Sequence, residues 1–351
     1  MRIGICTGGG DCPGLNATIR AIVNHATHTY QDTCIGILDS FNGLLSDPPK
    51  WMPLGLAEVH DIQNKGGTIL GSFNRGNIFE KPDGAQYLER VVAGFKQLNL
   101  DALIVIGGEG THHMAKSLIK AGIPVVGIPK TIDNDLPGTD RTIGFASCVD
   151  FVADSVMRLR STAESHERIM VVEVMGRDSG FIALHGGMAG GANVILIPEI
   201  PFSYDRVIRK ITEQNSLGRK CSLVVVSEGA LPEGGQPIYE GQNTGVKNLG
   251  GIGAQVATRL HELTGLDTRY SVLGHLQRGG APVAADKLLG AQFAYAALEL
   301  IQRGAFQNLV VERSGVITHM GFHELMEGRH KISMTDTLLL AAEATGVCLG
   351  R

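Results

Sequence analysis

The chain has 351 residues, which at roughly 150 residues per domain suggests about two domains. Lys and Arg sum to 31 against 35 Asp and Glu, a formal net charge of −4, so the basic footprint of a nucleic-acid binder is missing. With 43% hydrophobic and 19% charged residues, the composition supports folded cores and excludes a disordered chain.

Apolar runs ending in glycine or acidic residues recur in chain order. Ile3–Cys6 leads to Gly8-Gly-Gly-Asp11, Leu103–Ile106 to Gly107-Gly-Glu-Gly110, and Val125–Ile128 to Pro129-Lys-Thr-Ile-Asp-Asn-Asp135. Ile169–Val174 leads to Met175-Gly-Arg177, and Leu223–Val226 to Ser227-Glu-Gly229. Short buried runs alternating with helical patterns predict parallel strands in an α/β protein. Phe145, Val149, Val152, Val156, Leu159 and Ala163 form one apolar stripe, which predicts a helix. A domain boundary is expected near residue 145, with a later return of the chain to the first domain.

Glycine is in excess, 47 of 351 residues or about 13% against an average of about 7%, with no collagen-like period. It belongs in turns and in loops that expose backbone. The six cysteines show no C-x-x-C pair, which predicts reduced thiols in a cytoplasmic enzyme. The opening apolar run is too short for a signal-peptide core, and no stretch approaches the 18 or so apolar residues of a membrane span. Neither a membrane nor a nucleic acid is expected as partner.

In open α/β sheets ligands bind beyond the carboxyl ends of the strands, where these glycine-rich and acidic tails fall. Thr7–Asn16 fits neither nucleotide fingerprint: Pro13 stands where a third dinucleotide-loop glycine belongs, and Leu15-Asn16 where a P-loop has Lys-Ser/Thr. It reads either as a phosphate loop whose amides approach oxygens or as a plain tight turn. Gly107–Thr111 embeds Glu109 among glycines, suited to holding Mg²⁺ beside phosphates. His112 and His113 read as surface residues at a helix start. In Lys130–Asp135, Asp133 and Asp135 can divide base and metal-side duties, with Thr131 and Lys130 facing a phosphate; an Asx-rich turn is the alternative. Arg168, Arg177, Arg269 and Arg278 offer bidentate phosphate recognition, or are simple surface residues.

Together, Gly8–Asn16, Gly66–Ser72, Gly107–Thr111, Lys130–Asp135, Ser165–Arg177 and Gly274–Gly280, in this order, resemble the phosphofructokinase family over nearly the whole chain. The resemblance implies two doubly wound α/β domains with the active site in the cleft between them. These would be residues 1–144 with about 277–327 for nucleotide, and 145–276 with about 328–351 for sugar phosphate. It implies phosphorylation of fructose 6-phosphate at the 1-hydroxyl by MgATP. Asp133 would be the base, Thr131 and Arg177 would stabilise the transferring phosphoryl group, and Asp135 would assist near the metal. Gly10, Arg75, Gly108, Glu109, Gly110, Thr111 and Lys130 would hold the nucleotide, with Glu109 on Mg²⁺. Thr131, Asp133, Arg168, Met175, Gly176, Arg177, Glu228, Arg269, His275 and Arg278 would hold the sugar phosphate. Counterparts of Arg168 and Arg269 reach in from a neighbouring subunit, so a homo-oligomer, dimer or tetramer, with shared active sites is implied.

Relatives that use pyrophosphate carry Asp at the position of Gly110 and Lys at that of Lys130. This chain has the glycine with the lysine, which favours ATP, pyrophosphate being the alternative. An NAD or lipid kinase sharing the glycine-acidic loop, or a nucleotide-sensing subunit without catalysis, are the readings from other classes. Arg20, Arg160, Arg219 and Lys220 match parts of a bacterial effector site, but Asn24 and Asn193 replace an expected Arg and Glu, which speaks against ordinary ADP or phosphoenolpyruvate regulation.

Overall fold

The computed structural model describes residues 1–73, 76–236, 239–240 and 248–351. β1 (Arg2–Thr7) leads into α1 (Leu15–His25), followed by β2 (Thr33–Ile37), α2 (Asn42–Leu45), β3 (Trp51–Leu54) and α3 (Leu56–Val59). Next come α4 (Gly84–Gln97), β4 (Ala102–Gly107), α5 (Glu109–Lys120), β5 (Val125–Pro129) and α6 (Phe145–Ser165). β6 (Ile169–Val174), α7 (Phe181–Gly190), β7 (Val194–Leu196), α8 (Tyr204–Ser216) and β8 (Ser222–Ser227) follow. Two short strands, β9 (Tyr239–Glu240) and β10 (Asn248–Leu249), precede α9 (Ile252–Thr264) and β11 (Thr268–Val272). The chain closes with α10 (Ala284–Gln302), β12 (Asn308–Arg313), β13 (Val316–Gly321) and α11 (Thr337–Ala344). It divides into two units, residues 1–147 with 278–328 and residues 148–277 with 329–351.

In the first unit the described strands run β13-β12-β5-β4-β1-β2-β3. The strands from β12 to β2 pair in parallel, and every residue of β4 and β5 is buried, as expected of a sheet covered on both faces. The two edge strands, β3 and β13, are antiparallel and were not among the predicted runs. Pro53, opposite Ile35, shows why β3 is confined to an edge: a proline has no amide for a second neighbour. Register does the functional positioning. Thr7 lies beside Ile106, and Gly107 beside Pro129, so the tails of β1, β4 and β5 leave one sheet edge together.

The second unit has the strand order β11-β6-β8-β7, all parallel. Val174 lies beside Ser227, which brings the Met175 and Glu228 tails to one carboxyl edge. Val171, Val194, Val224 and Val256 are among its buried core, each such side chain contributing about 1.5–3 kcal/mol. On α6 the predicted stripe faces inward: Phe145, Val152, Val156 and Ala163 are buried, Val149 and Leu159 half-buried.

Two buried carboxylates explain charges inside apolar elements. Glu173, in the wholly buried β6, accepts from the amides of Gly251 (3.1 Å) and Gly253 (2.7 Å) where α9 begins. Asp286, on α10, accepts from the Gly144 amide (2.9 Å) and the Ser147 amide (2.7 Å) where α6 begins. Each satisfies amides that a helix start leaves without intrahelical partners.

Candidate active site

At the carboxyl edge of the first unit, the loop after β1 is tied to the protein on all sides. The Gly8 amide donates to the Ile106 carbonyl (3.0 Å) and the Gly9 amide to the Phe73 carbonyl (3.1 Å). Ser72 Oγ donates to the Gly9 carbonyl (2.5 Å), and Lys130 Nζ donates to the Gly10 carbonyl. The amides of Gly8 and Gly9 therefore point to protein carbonyls, the arrangement that the tight-turn reading of the segment expects. The glycines answer to close approach instead: a Cβ on Gly8 would sit 2.6 Å from Thr111 Cγ2, and one on Gly10 2.7 Å from Arg278 Nη1. Asn16 locks the segment 65–69 to α1, donating to the carbonyls of Lys65 and Gly66 and accepting from the Ile69 amide. The Gly8–Asn16 and Gly66–Ser72 motifs thus form one interlocked piece.

The second loop opens α5. Glu109 Oε1 accepts from the Gly328 amide (3.2 Å) and lies 3.6 Å from His113 Nε2. Gly110 is exposed, and a Cβ there would meet nothing within 4 Å. Thr111 is buried against Gly8 and Gly107, while Gly108 is half-buried. His112 is not the surface residue expected; it is fully buried, edge-on to Phe322 with ring centroids 5.8 Å apart. Burial, helped by the nearby Lys130 charge, pushes its imidazole down to about 3, so it is neutral at physiological pH.

The third tail carries Lys130, Thr131, Asp133 and Asp135. The Lys130 amide donates to the Gly107 carbonyl (2.9 Å), its side chain is buried, and burial lowers its pKa from the ordinary lysine value. Thr131 Oγ1 accepts from the Asp133 amide (3.2 Å); Asp133 is half-buried and Asp135 buried. Asn134, which sequence reasoning left without a role, adopts a left-handed conformation (φ 52°). Its side chain donates to the Asp140 carbonyl (2.9 Å) and accepts from the Thr142 amide (2.9 Å). The loop is further pinned to the β12–β13 hairpin. Arg141 forks onto Glu312, Thr139 Oγ1 accepts from the Glu312 amide (3.0 Å), and the Ser314 amide donates to Asp140 Oδ2 (2.6 Å). Asp133 is thus carried on backbone fixed from two directions. Arg278, half-buried, belongs to this unit and stands beside Gly10.

In the second unit, Met175, Gly176, Arg177 and Glu228 share the carboxyl edge. The Met175 amide donates to Gln277 Oε1 (3.3 Å), and Gln277, itself buried, donates to the Gly274 carbonyl (3.0 Å). Gly176 has φ 123°, and its carbonyl accepts from Ser227 Oγ (2.5 Å); a Cβ would lie 2.6 Å from that oxygen. The Glu228 amide donates to the Val174 carbonyl (2.8 Å). Arg177 and His275 are exposed.

Arg168 and Arg269 lie elsewhere. Arg168 precedes β6, and Arg269 pairs with Met170 near the amino end of the sheet. The six residues of β6 separate Arg168 from Met175, roughly 20 Å at about 3.3 Å per residue. The two arginines share Asp267, which Arg168 Nε approaches at 3.2 Å and Arg269 Nη1 also contacts. One unit therefore does not bring this pair to the Met175–Arg177 edge.

Other features bear on the expectations. A cavity of about 510 Å³ in the second unit is lined by Arg160, Arg219 and Lys220 together with Glu164, Glu167 and Asn193. Glu167 pairs with Lys220 (2.9 Å) and Glu164 stands 3.9 Å from Arg160, so carboxylates offset its positive charge. All six cysteines are free thiols, and among the described residues no helix is long and apolar enough to cross a membrane. Arg75 lies outside the described residues.

The family model described as phosphofructokinase matches residues 2–301. The chain is 43% identical over 354 residues to ATP-dependent 6-phosphofructokinase 1 of Synechocystis sp., covering 99% of this chain and 98% of that one. It is 45% identical over 327 residues to the pyrophosphate–fructose 6-phosphate 1-phosphotransferase of Amycolatopsis methanolica, covering 92% and 94%. Among solved structures it resembles Pichia pastoris phosphofructokinase in the T-state, with TM-score 0.81 and 30% identity. That match covers 92% of this chain but only 35% of the yeast chain, so this protein spans about a third of that subunit. By both the family match and these relatives, the chain belongs to the phosphofructokinase family.

Proposed function

We propose that this protein transfers the terminal phosphoryl group of MgATP to the 1-hydroxyl of fructose 6-phosphate, giving fructose 1,6-bisphosphate and ADP as a step of glycolysis. The observation that carries the choice of donor is Gly110. It is exposed in the first turn of α5 with open space where a side chain would stand, so no side chain at this position opposes the α-phosphate and nucleoside. The Amycolatopsis methanolica relative favours the second reading, pyrophosphate as donor. Fructose 1,6-bisphosphate formation measured in parallel with ATP and with pyrophosphate separates the two; turnover with pyrophosphate alone overturns the first.

In this reading Asp133 takes the proton of the 1-hydroxyl as its oxygen attacks phosphorus. A base must hold one position relative to that hydroxyl, and the Asn134 and Glu312 attachments of its loop supply this. Thr131 and Arg177 stabilise charge on the transferring group. Gly10, Gly108, Glu109, Thr111 and Lys130 border the nucleotide, with Arg75 assigned there by its sequence position. Met175, Gly176, Glu228, His275 and Arg278 hold the sugar phosphate with Arg168 and Arg269. Mg²⁺ takes one or two carboxylates beside substrate phosphates, and the carboxylates of Glu109 and Asp135 fit that donor set. When bound, the ion would neutralise phosphate charge, with Glu109 holding it.

The separation of Arg168 and Arg269 from Met175–Arg177 supports a homo-oligomer, dimer or tetramer, in which a second copy supplies the pair. Arg269 lies on β11, an edge strand exposing Tyr270 and Val272, a surface of the kind a second copy can cover.

A further inference from the structure

Lys130 has a position that contact with a phosphate does not explain. Its backbone amide is bonded to the Gly107 carbonyl, its backbone bridges to Ile143, and its ammonium is bonded to the Gly10 carbonyl. One residue therefore spans the loops that follow β1 and β4. Among the described residues, the other hydrogen-bond partners of the Gly8–Gly10 backbone are neutral groups, the carbonyls of Ile106 and Phe73 and the hydroxyl of Ser72. Lys130 is 3% exposed, and its ammonium lies 3.4 Å from where a Cβ of Gly9 would be. The Arg278 guanidinium also stands close to Gly10, its Nη1 2.7 Å from where a Gly10 Cβ would be.

We propose that Lys130 is a positioning residue: it fixes the Gly8–Gly10 loop against the Gly107–Thr111 loop through the Gly10 carbonyl, and does not contact the phosphoryl group in flight. This rests on the nucleotide reading of the site. It also accounts for a lysine that accompanies Gly110 without specifying pyrophosphate, since an ammonium committed to a backbone carbonyl supports either donor equally.

ADP lacks the transferred group, and this separates the two roles. A lysine on the transferring phosphoryl group strengthens binding of MgATP and not of MgADP, whereas a lysine that shapes the loop strengthens both alike. In Lys130→Met, which keeps the unbranched stem and removes the donor, the dissociation constants of MgATP and MgADP should rise together. About tenfold is expected from leaving a buried carbonyl without its partner, with the two factors agreeing within threefold. Weakening of MgATP alone, or no weakening of either, overturns the proposal. A second measurement needs no variant: in the wild-type protein without nucleotide, amide exchange over residues 7–14 should already be slow. Rapid exchange that slows only on adding MgADP would show that the nucleotide, not Lys130, builds the loop. Should the wild-type protein bind neither nucleotide, the kinase reading itself fails, and the exchange result still decides whether the loop is preformed.

Discussion

Substituting Gly110 by aspartate isolates the electrostatics of donor choice from those of folding. Gly110 has no positive φ, is exposed, and a Cβ would meet no atom within 4 Å, so the new side chain requires no rearrangement. It lies in the first turn of α5, where a carboxylate gains about 0.3–1 kcal/mol from the helix dipole. Replacing a helical glycine adds a few tenths of a kcal/mol more, so the variant should be no less stable than the parent. A nucleotide meets the opposite effect. A carboxylate about 5 Å from a phosphate charge, at an effective dielectric near 20, repels it by about 3 kcal/mol, or roughly a hundredfold in binding. The expected result is an unchanged or higher Tm with kcat/KM for ATP lowered by about 10²-fold, read from steady-state kinetics at saturating fructose 6-phosphate. Activity with ATP within threefold of the parent, in a folded variant, would refute the argument that open space at Gly110 admits the nucleotide.

Asp133→Ser should lower kcat by about 10²–10⁴-fold, the contribution of a positioned base, with little change in melting temperature. If Arg269 completes the site of a second copy, inactive Asp133→Ser and Arg269→Ala chains should regain activity when refolded as a mixture. Such a hybrid contains sites built from one chain's Asp133 and the other's Arg269, and a mixture as inactive as its components refutes sharing. His112 gives a pH prediction of definite sign. Its folded pKa of about 3 lies below the ordinary value of 6.5, so its contribution is fully present above pH 6.5 and is lost as pH falls toward 3. Between pH 7 and 5 it should remove about 2 kcal/mol of unfolding free energy, and His112→Phe should lose that part of the slope in urea titrations at the two pH values.

The glycine and acidic tails could be read from the chain because each follows an aliphatic run that burial makes into a strand, and parallel register then aligns the tails. His112 could not be read so. It lies on the inward side of α5 with Thr111, Met114, Ala115 and Leu118, and a polar residue type on a buried face defeats a reading by hydrophobic period. Glu173, Asp286 and Gln277 each accept from backbone amides 78 to 142 residues away in sequence, and no local pattern reports such partners. Asn134 is different. Its flanking aspartates signal an Asx-rich turn, but its side chain bonds Asp140 and Thr142, six and eight residues on, and so braces the loop that carries Asp133.

The placement of Arg168 is implicit in the chain. A residue that precedes a strand and one that follows it must leave opposite edges of the sheet, so Arg168 and Arg177, flanking β6, cannot both serve one sugar phosphate from within a single extended segment. Asp267 sharpens the point. By taking Arg168 and Arg269 on one carboxylate, it orients both guanidinium groups at the amino edge, where they make a unit fit to face an anion from another chain. The sugar-phosphate assignment and the oligomer are therefore one proposition. If Arg168 and Arg269 bind substrate, a second copy must bring them; if the protein acts as a monomer, that pair must leave the substrate set, and Met175, Gly176, Arg177, Glu228, His275 and Arg278 must suffice.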